Sequence, residues 1–470
     1  MNVSEYRDRK LEFVSNLEGT SIWVILVLTH LFSTLPFIRG FLRHQMSIQN
    51  IFLLFHFDFL FLIVPTLTFV TFAFRKLFSL AVFVHAIFII LCFCSRFKKC
   101  QTEKVLRPII VDADSREVRF VCKSILNIVT AICILGVDFH VFPRELAKVE
   151  WHGTGLMGVG VGSFVFFNAF TTNRQDNFNM FMTTLFLMVI GIVRSLSVFL
   201  TGYHNHASEY GVHWNFFLTL SIVQIILFFG EKSIGLKKII TLVASVCLVL
   251  QYALVKWLGF FIQFMNDRSN VVLANIEGIV SLPGFLLIAA MGKVFGKLYL
   301  ENFPNLKIES QVVFTGAIIA MFLCVQFCVE FFVEAVCRPT ANLSYELWMA
   351  VYNLDMIWSV ICNLFIVSLV ASLSNCNLAL IYGKCEKCFT GGRVECGCLY
   401  TAVYKNQLLF FLLANLLTGA VNLSVDTLEV DNFIAIVICL AYMYILCAVV
   451  VLKENWMTRY KFGSTNEKKS

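Results

Sequence analysis

Uninterrupted apolar runs recur along this chain and restrict its fold more than any other feature. Stretches such as "AVFVHAIFIILCFC" (81–94) and "NFIAIVICLAYMYILCAVVVL" (432–452) contain no charged side chain. A run of about 20 apolar residues is long enough for a helix to cross the roughly 30 Å hydrocarbon core of a membrane. Because the runs are continuous and do not alternate with polar residues, they favour helices over the strands of a barrel. The sequence therefore predicts an all-α, polytopic integral membrane protein.

Thirteen such runs are candidate membrane spans. Of the 470 residues, 59% are hydrophobic and only 14% are charged, whereas soluble domains carry roughly a quarter charged residues. The predicted spans begin near Ser21, Ile51, Leu77, Val121, Gly155, Phe178, Trp214, Ile239, Gly278, Gln311, Leu347, Gln407 and Phe433. The chain is thus divided into an N-terminal segment (1–20), a multispan domain (21–452) and a C-terminal tail (453–470). Charged residues inside spans, such as Asp58 and Asp355, should face protein or a water-filled cavity.

Lysine and arginine are distributed unevenly between the loops. The loops after odd-numbered spans and the tail hold most of them, as in "SRFKKCQTEKVLRP" (95–108) and "KENWMTRYKFGSTNEKKS" (453–470). Positive charge marks the cytosolic side, so we expect the N-terminal segment outside the cell or in the lumen of an organelle, and a cytosolic tail. The net charge of +7 therefore mainly reflects how the chain is oriented across the membrane. A basic cluster of the kind that binds nucleic acid does not stand out, and no nucleic-acid partner is expected.

A stretch rich in histidine and aromatic residues, "GYHNHASEYGVHWNFF" (202–217), follows the sixth span on the non-cytosolic side. Its three histidines and one glutamate could bind a metal such as zinc, act in acid–base chemistry or hydrogen-bond a substrate. Histidine and tyrosine at a membrane edge also serve simply to structure the interface. These alternatives stay open on the residues alone. No metal is expected, and His206, Glu209 and His213 are the candidate site residues.

Asp138 directly follows the apolar run "ILNIVTAICILGV" (125–137), which places it at a membrane edge. Partial desolvation there makes a carboxylate a better general base. Lys148 could pair with it, bind an anionic substrate or stabilise a developing oxyanion. An ion pair that only fixes the loop explains the same spacing. Arg194 lies in the sixth span about two turns before the histidine-rich stretch, where it could contact a phosphate or neutralise a buried acid.

Four cysteines crowd into the cytosolic loop "CEKCFTGGRVECGC" (385–398). Cys385, Cys388, Cys396 and Cys398 form a C-x2-C and C-x-C pattern that resembles a small zinc knuckle. Cysteines next to a membrane are also sites of lipid attachment. Both interpretations are open, and the main chemistry is not expected in this loop.

Five motifs in order along the chain resemble a known family. The first two are "DFHVFPRELAKVEWHGTGLMGVGVGSFVF" (138–166) and "SEYGVHWNFFLTL" (208–220). They are followed by "ANIEGIVSLPGFLLI" (274–288), "RPTANLSYELWMAVYN" (338–353) and "NQLLFFLLANLLTGAVNLSVDT" (406–427). These motifs are similar to those of the glucosaminyl-phosphatidylinositol inositol acyltransferases of GPI-anchor synthesis. The resemblance extends from about residue 20 to residue 452.

The resemblance implies an endoplasmic-reticulum membrane enzyme that transfers a fatty acyl group, usually palmitoyl, from acyl-CoA to the inositol 2-hydroxyl of glucosaminyl-phosphatidylinositol. No cofactor is implied, since acyl-CoA is a substrate. The aspartate and lysine of the first motif would form the catalytic pair, here Asp138 and Lys148. The expected substrate-binding residues are Arg144, Arg194, His206, Glu209, His213, Asn215 and Asn415.

Two other classes of protein are compatible with the composition. A secondary transporter also carries buried charges near a central cavity, but such transporters usually have two related halves, and this sequence shows no internal repeat. A non-catalytic lipid-binding scaffold would tolerate replacement of Asp138 by asparagine, whereas an enzyme that uses this carboxylate would not.

Overall fold

The computed structural model describes residues 9–94, 115–172, 177–201, 210–256, 269–299, 306–373 and 399–467, apart from residues 11, 16, 47 and 49, together with residue 303. Helices are its regular elements. They are α1 (Ile22–Met46), α2 (Ile51–Asp58), α3 (Val64–Phe69), α4 (Leu77–Cys94), α5 (Ser115–Gly136), α6 (Val159–Thr172), α7 (Asn177–Thr201) and α8 (Phe216–Ile234). They continue with α9 (Leu236–Lys256), α10 (Ile276–Val280), α11 (Leu282–Lys297), α12 (Ile308–Phe332), α13 (Leu343–Leu373), α14 (Leu399–Lys405), α15 (Gln407–Ser424) and α16 (Asn432–Glu467).

Eleven helical stretches of the described chain are long and apolar enough to cross a membrane. Each begins within a few residues of a predicted span, so the polytopic helical fold is confirmed. The other two predicted spans correspond to α9, which is not among the eleven, and to α6. Helix α6 has only 14 residues, or about 21 Å. It is short because residues 155–158 form a turn, in which Gly158 N donates to Gly155 O at 3.0 Å, before the helix begins.

Helix α13 lies at the centre of the bundle. It packs against α1, α5, α11 and α12, and 67% of its apolar span is buried inside the protein. By contrast, only 17% of the spans in α7 and α12 is buried, so these helices lie at the periphery of the bundle. A helix that is apolar on all sides is stable in either setting, which explains why the sequence does not distinguish central helices from peripheral ones.

Small residues let α11 approach α6 closely. A Cβ added to Gly292 would lie 2.4 Å from the Phe166 carbonyl oxygen, and one added to Gly296 would lie 2.3 Å from the Phe170 carbonyl oxygen. The two glycines are four residues apart and therefore share one face of α11. Helices in membranes associate through this kind of close backbone packing. The contact fixes α6, which forms one wall of the site described below.

Asp58 and Asp355 both face protein, as predicted. Asp355 Oδ1 lies 3.1 Å from Nε2 of His30 on α1. Asp58 is fully buried; its Oδ1 accepts from Arg39 Nε at 2.6 Å, and its Oδ2 accepts from the backbone N–H of Leu399 at 2.8 Å. One carboxylate therefore ties α2 to α1 and to the start of α14.

Asp58→Ala is expected to destabilise the fold by about 3–5 kcal/mol, because it removes the carboxylate that pairs with the buried Arg39 guanidinium. The loss should appear as a lower melting temperature of the purified protein in detergent. Glu18→Ala, at an exposed position, is the control and should melt close to the parent. Equal melting temperatures for the two variants would contradict this role of Asp58.

Candidate active site

The signature loop, residues 137–158, connects α5 to α6 and is held from two sides. Thr20 N donates to Thr154 O at 2.7 Å, and the Thr154 hydroxyl donates to Thr20 O at 2.5 Å. On the other side, Gly153 N donates to Val336 O at 2.8 Å. Gly153 has φ +135°, a conformation open mainly to glycine. Backbone contacts thus fix a loop whose only regular element is the short 3-10 turn Arg144–Leu146.

Arg144 is engaged within this loop. Its Nη2 donates to three backbone carbonyls of residues 137–142 at 2.9 to 3.1 Å, and its guanidinium lies 4.1 Å from the centre of the Phe13 ring. Burial lowers the pKa of Arg144 to about 10, while the neighbouring Asp138 carboxylate acts in the opposite direction. These contacts make Arg144 an anchor of the loop. Its predicted contact with substrate stays a prediction.

A cavity of about 150 Å³ opens beside the loop. Three predicted site residues, Lys148, Arg194 and Asn415, lie in its wall. The other lining residues are Ile125, Leu126, Val129, Thr130, Cys133, Ile134, Leu156, Met157, Val159, Gly160, Val161, Phe164, Tyr210, Phe216, Tyr352 and Phe411. Segments distant in sequence therefore converge on one cavity.

The cavity wall is mainly apolar, with two cations. Lys148 comes from the signature loop and Arg194 from α7, and both side chains are half-buried. Tyr210 and Tyr352 add phenol groups that the sequence analysis did not single out. Such a cavity can hold an apolar chain that ends in a polar or anionic group, because a fixed cation in a partly dry site interacts strongly with negative charge.

Asp138 is not among the residues that line this cavity. Its Oδ1 lies 3.1 Å from Lys10 Nζ, and its Oδ2 accepts from Asn422 Nδ2 at 2.9 Å. Asn422 and the cavity residue Asn415 are seven residues apart on α15. They share one helix face and are separated by about 10 Å along the axis. Asp138 therefore lies on the same face of α15 as the cavity, about two turns away.

Asn215 joins α7 to α8. Its Oδ1 caps α8 by accepting from Phe217 N at 3.0 Å and Leu218 N at 3.3 Å. Its Nδ2 donates to Gly191 O at 2.8 Å and to Ser195 Oγ at 2.9 Å. Asparagine is a favoured N-cap residue because its side chain satisfies these backbone donors. The structure thus gives Asn215 a helix-capping role, and its predicted role in substrate binding stays a prediction.

Of the histidine-rich stretch (202–217), the structure describes residues 210–217. His213 N donates to Asn275 Oδ1 at 2.8 Å, its carbonyl accepts from the Ser195 hydroxyl at 2.6 Å, and its side chain is exposed. His206 and Glu209 lie outside the described residues. The four cysteines of the 385–398 loop lie outside them as well.

Fold and site together define a polytopic helical membrane protein with a cation-bearing apolar cavity beside a fixed loop. Residues 6–453 match the model of the GWT1 family. The chain belongs to this family, and the family predicted from the five motifs is confirmed.

Relatives of this chain are found in animals and fungi. The glucosaminyl-phosphatidylinositol-acyltransferase PIGW of Mus musculus is 30% identical over 96% of this chain and 99% of its own length. The protein of the same name from Homo sapiens is 33% identical over 70% of this chain and 71% of its own length. The GPI-anchored wall transfer protein 1 of Schizosaccharomyces pombe is 32% identical over 72% of this chain and 71% of its own length.

Proposed function

We propose that this chain is a glucosaminyl-phosphatidylinositol acyltransferase of GPI-anchor biosynthesis. The observation that carries the proposal is the apolar cavity that Lys148 and Arg194 line, in a chain similar over nearly its whole length to an enzyme of that name. The acyl donor is acyl-CoA, and the acceptor is the inositol 2-hydroxyl of glucosaminyl-phosphatidylinositol. The enzyme works in the endoplasmic-reticulum membrane, with its N-terminus luminal and its tail cytosolic.

In the proposed reaction, the inositol hydroxyl oxygen attacks the carbonyl carbon of the thioester, and its proton passes to the Asp138 carboxylate. The carbon–sulfur bond then breaks, and CoA leaves as a thiolate that takes up the proton. Negative charge develops on the carbonyl oxygen during the attack, and Lys148 stabilises it. Direct transfer in this way needs no covalent acyl-enzyme.

The acyl chain is proposed to lie along α5. The cavity follows this helix from Ile134 to Ile125, about 14 Å along its axis, and so runs away from Asp138. The thioester would sit at the Ile134 end, the end nearer to Asp138. Arg194 and Asn415 would hold polar groups of the two substrates there. Placement of the headgroup by His206, Glu209 and His213 belongs to the same proposal.

Two measurements on purified protein in lipid vesicles test this function, namely chemical modification of the lipid and its movement across the vesicle membrane. Labelled palmitoyl-CoA and glucosaminyl-phosphatidylinositol should yield a labelled inositol lipid. A transporter would instead move the lipid across the vesicle membrane without changing it chemically. A lipid-binding scaffold would bind the lipid and neither modify nor move it.

Gly160→Leu is expected to lower kcat/KM for palmitoyl-CoA by about tenfold or more, and to affect short-chain acyl-CoA much less. Gly160 lines the cavity, and a Cβ there would meet only Thr130 Oγ1, at 4.0 Å. A Cβ therefore has room at this position, and a larger side chain would occupy the space proposed for the acyl chain.

Gly160→Ala is the matched control and should keep nearly full activity, since a single methyl group has room. Gly162→Ala should not be tolerated in the same way, because a Cβ there would lie 2.4 Å from Met349 Sδ. Unchanged chain-length preference in a stable Gly160→Leu protein would contradict the placement of the acyl chain.

A further inference from the structure

An N-terminal strap, formed by the described residues 9, 10 and 12–15, lies beside the signature loop. Arg9 forms ion pairs with Asp426 at 2.8 Å and Glu429 at 3.0 Å, in the loop after α15. Phe13 contacts the His140 ring edge-on, with 4.6 Å between ring centres, and also stacks against Arg144. Contacts at both ends thus hold the strap against two segments that flank Asp138.

Lys10 lies between these two anchors. Its Nζ is 3.1 Å from Asp138 Oδ1 and donates to Asn422 Oδ1 at 2.7 Å. Because Asn422 Nδ2 in turn donates to Asp138 Oδ2 at 2.9 Å, the three side chains form a closed ring. Each of the three side chains comes from a different part of the chain: Lys10 from the strap, Asp138 from the signature loop and Asn422 from α15. The Lys10 and Asp138 side chains are only 19% and 15% exposed, so salt screens this pair less than a surface pair.

We propose that Lys10 is a positioning residue for Asp138 in acyl transfer. This inference rests on the proposed function and adds a residue outside the five motifs. A general base must hold its oxygen within hydrogen-bond distance of the proton it removes. Lys10 and Asn422 each occupy one oxygen of Asp138, which fixes the rotation of the carboxylate. A carboxylate oxygen has two acceptor sites, so the oriented group can still accept a bond from the inositol hydroxyl.

The Arg144 guanidinium is also close to Asp138, but it does not orient the Asp138 carboxylate. Its guanidinium donates to backbone carbonyls of the loop. Lys10 is the cation with a direct contact to an Asp138 oxygen among the hydrogen bonds and ion pairs of the described residues. Loss of its ammonium would leave the carboxylate oriented by Asn422 from one side.

Lys10→Met tests the inference because it keeps an unbranched side chain and removes the ammonium. We expect kcat to fall about ten- to hundredfold, since a misplacement of about 1 Å at a reacting group can cost about a hundredfold. KM for both substrates and the melting temperature should stay near those of the parent. Lys10→Arg should restore most of the lost kcat. Lys238→Met, which removes an exposed cation on α9 outside the strap, is the control and should change kcat by about twofold or less.

Several outcomes would overturn the inference. Parental kcat in Lys10→Met would do so, and so would equal losses in Lys10→Met and Lys238→Met, which would mean that only the general loss of positive charge matters. A raised KM at unchanged kcat would place Lys10 in substrate binding instead. If the unsubstituted protein transfers no acyl group, the proposed function fails and the inference fails with it. Transfer by the parent together with an insensitive Lys10→Met variant overturns the inference alone.

Discussion

Asp138→Asn is expected to lower the rate of acyl transfer by about 10²–10⁴-fold, the usual contribution of a general base. Asparagine keeps the shape of the side chain and one acceptor oxygen, which can accept from either Lys10 or Asn422, but it cannot take up the hydroxyl proton. The loss should therefore appear in kcat, measured with labelled palmitoyl-CoA and saturating glucosaminyl-phosphatidylinositol, while the melting temperature stays close to that of the parent.

The matched control for this variant is Asp431→Asn. Asp431 is exposed and its Oδ2 accepts from Phe433 N at 2.9 Å, a cap that asparagine also provides, so the rate should change by about twofold or less. If Asp138→Asn keeps parental kcat, another residue is the base and the ring around Asp138 is structural. His206 and Glu209 would then be the next candidates.

Lys148→Gln should lower kcat by about 10²–10³-fold if its ammonium stabilises the oxyanion of the transition state, as single donors of this kind do in other enzymes. The side chain reaches the cavity from the fixed signature loop, which keeps its position well defined. Because the oxyanion exists only during the reaction, KM for palmitoyl-CoA should change much less than kcat. Steady-state kinetics over a range of palmitoyl-CoA concentrations separates the two effects.

Lys238→Gln, which removes an exposed lysine on α9, controls for the general loss of positive charge. It should leave both kinetic constants nearly unchanged. A Lys148→Gln variant with a raised KM and a normal kcat would contradict the oxyanion role, and it would assign Lys148 to binding of the anionic donor.

Much of the architecture could be predicted from the sequence, because lipid forces each backbone donor and acceptor into a helix and so leaves long apolar runs in the chain. Helix α6 was the exception. Its glycine-rich start is predicted to be part of a span, but residues 155–158 form a turn at the end of the signature loop. A hydrophobicity pattern does not reveal this turn. Which helices are central also depends on tertiary packing, as the difference between α13 and α12 illustrates.

The site could be predicted in part. Lys148, Arg194 and Asn415 carry polar groups next to apolar runs, and the structure brings them to one cavity. The contact between Lys10 and Asp138 joins residues 128 positions apart, and a lysine near the N-terminus has no local pattern that marks such a partner. The capping role of Asn215 was also missed, although an asparagine directly before the helical run 216–234 is a known start signal.

Analysis of the reaction product by mass spectrometry tests the central claim most directly. Purified protein would be incubated with palmitoyl-CoA and glucosaminyl-phosphatidylinositol, and the lipid product would be fragmented. We predict one palmitoyl group in ester linkage on the inositol ring, formed together with an equal amount of free CoA. Unmodified lipid after incubation with a folded, lipid-binding sample, or a palmitoyl group on the glucosamine instead of the inositol, would contradict the account.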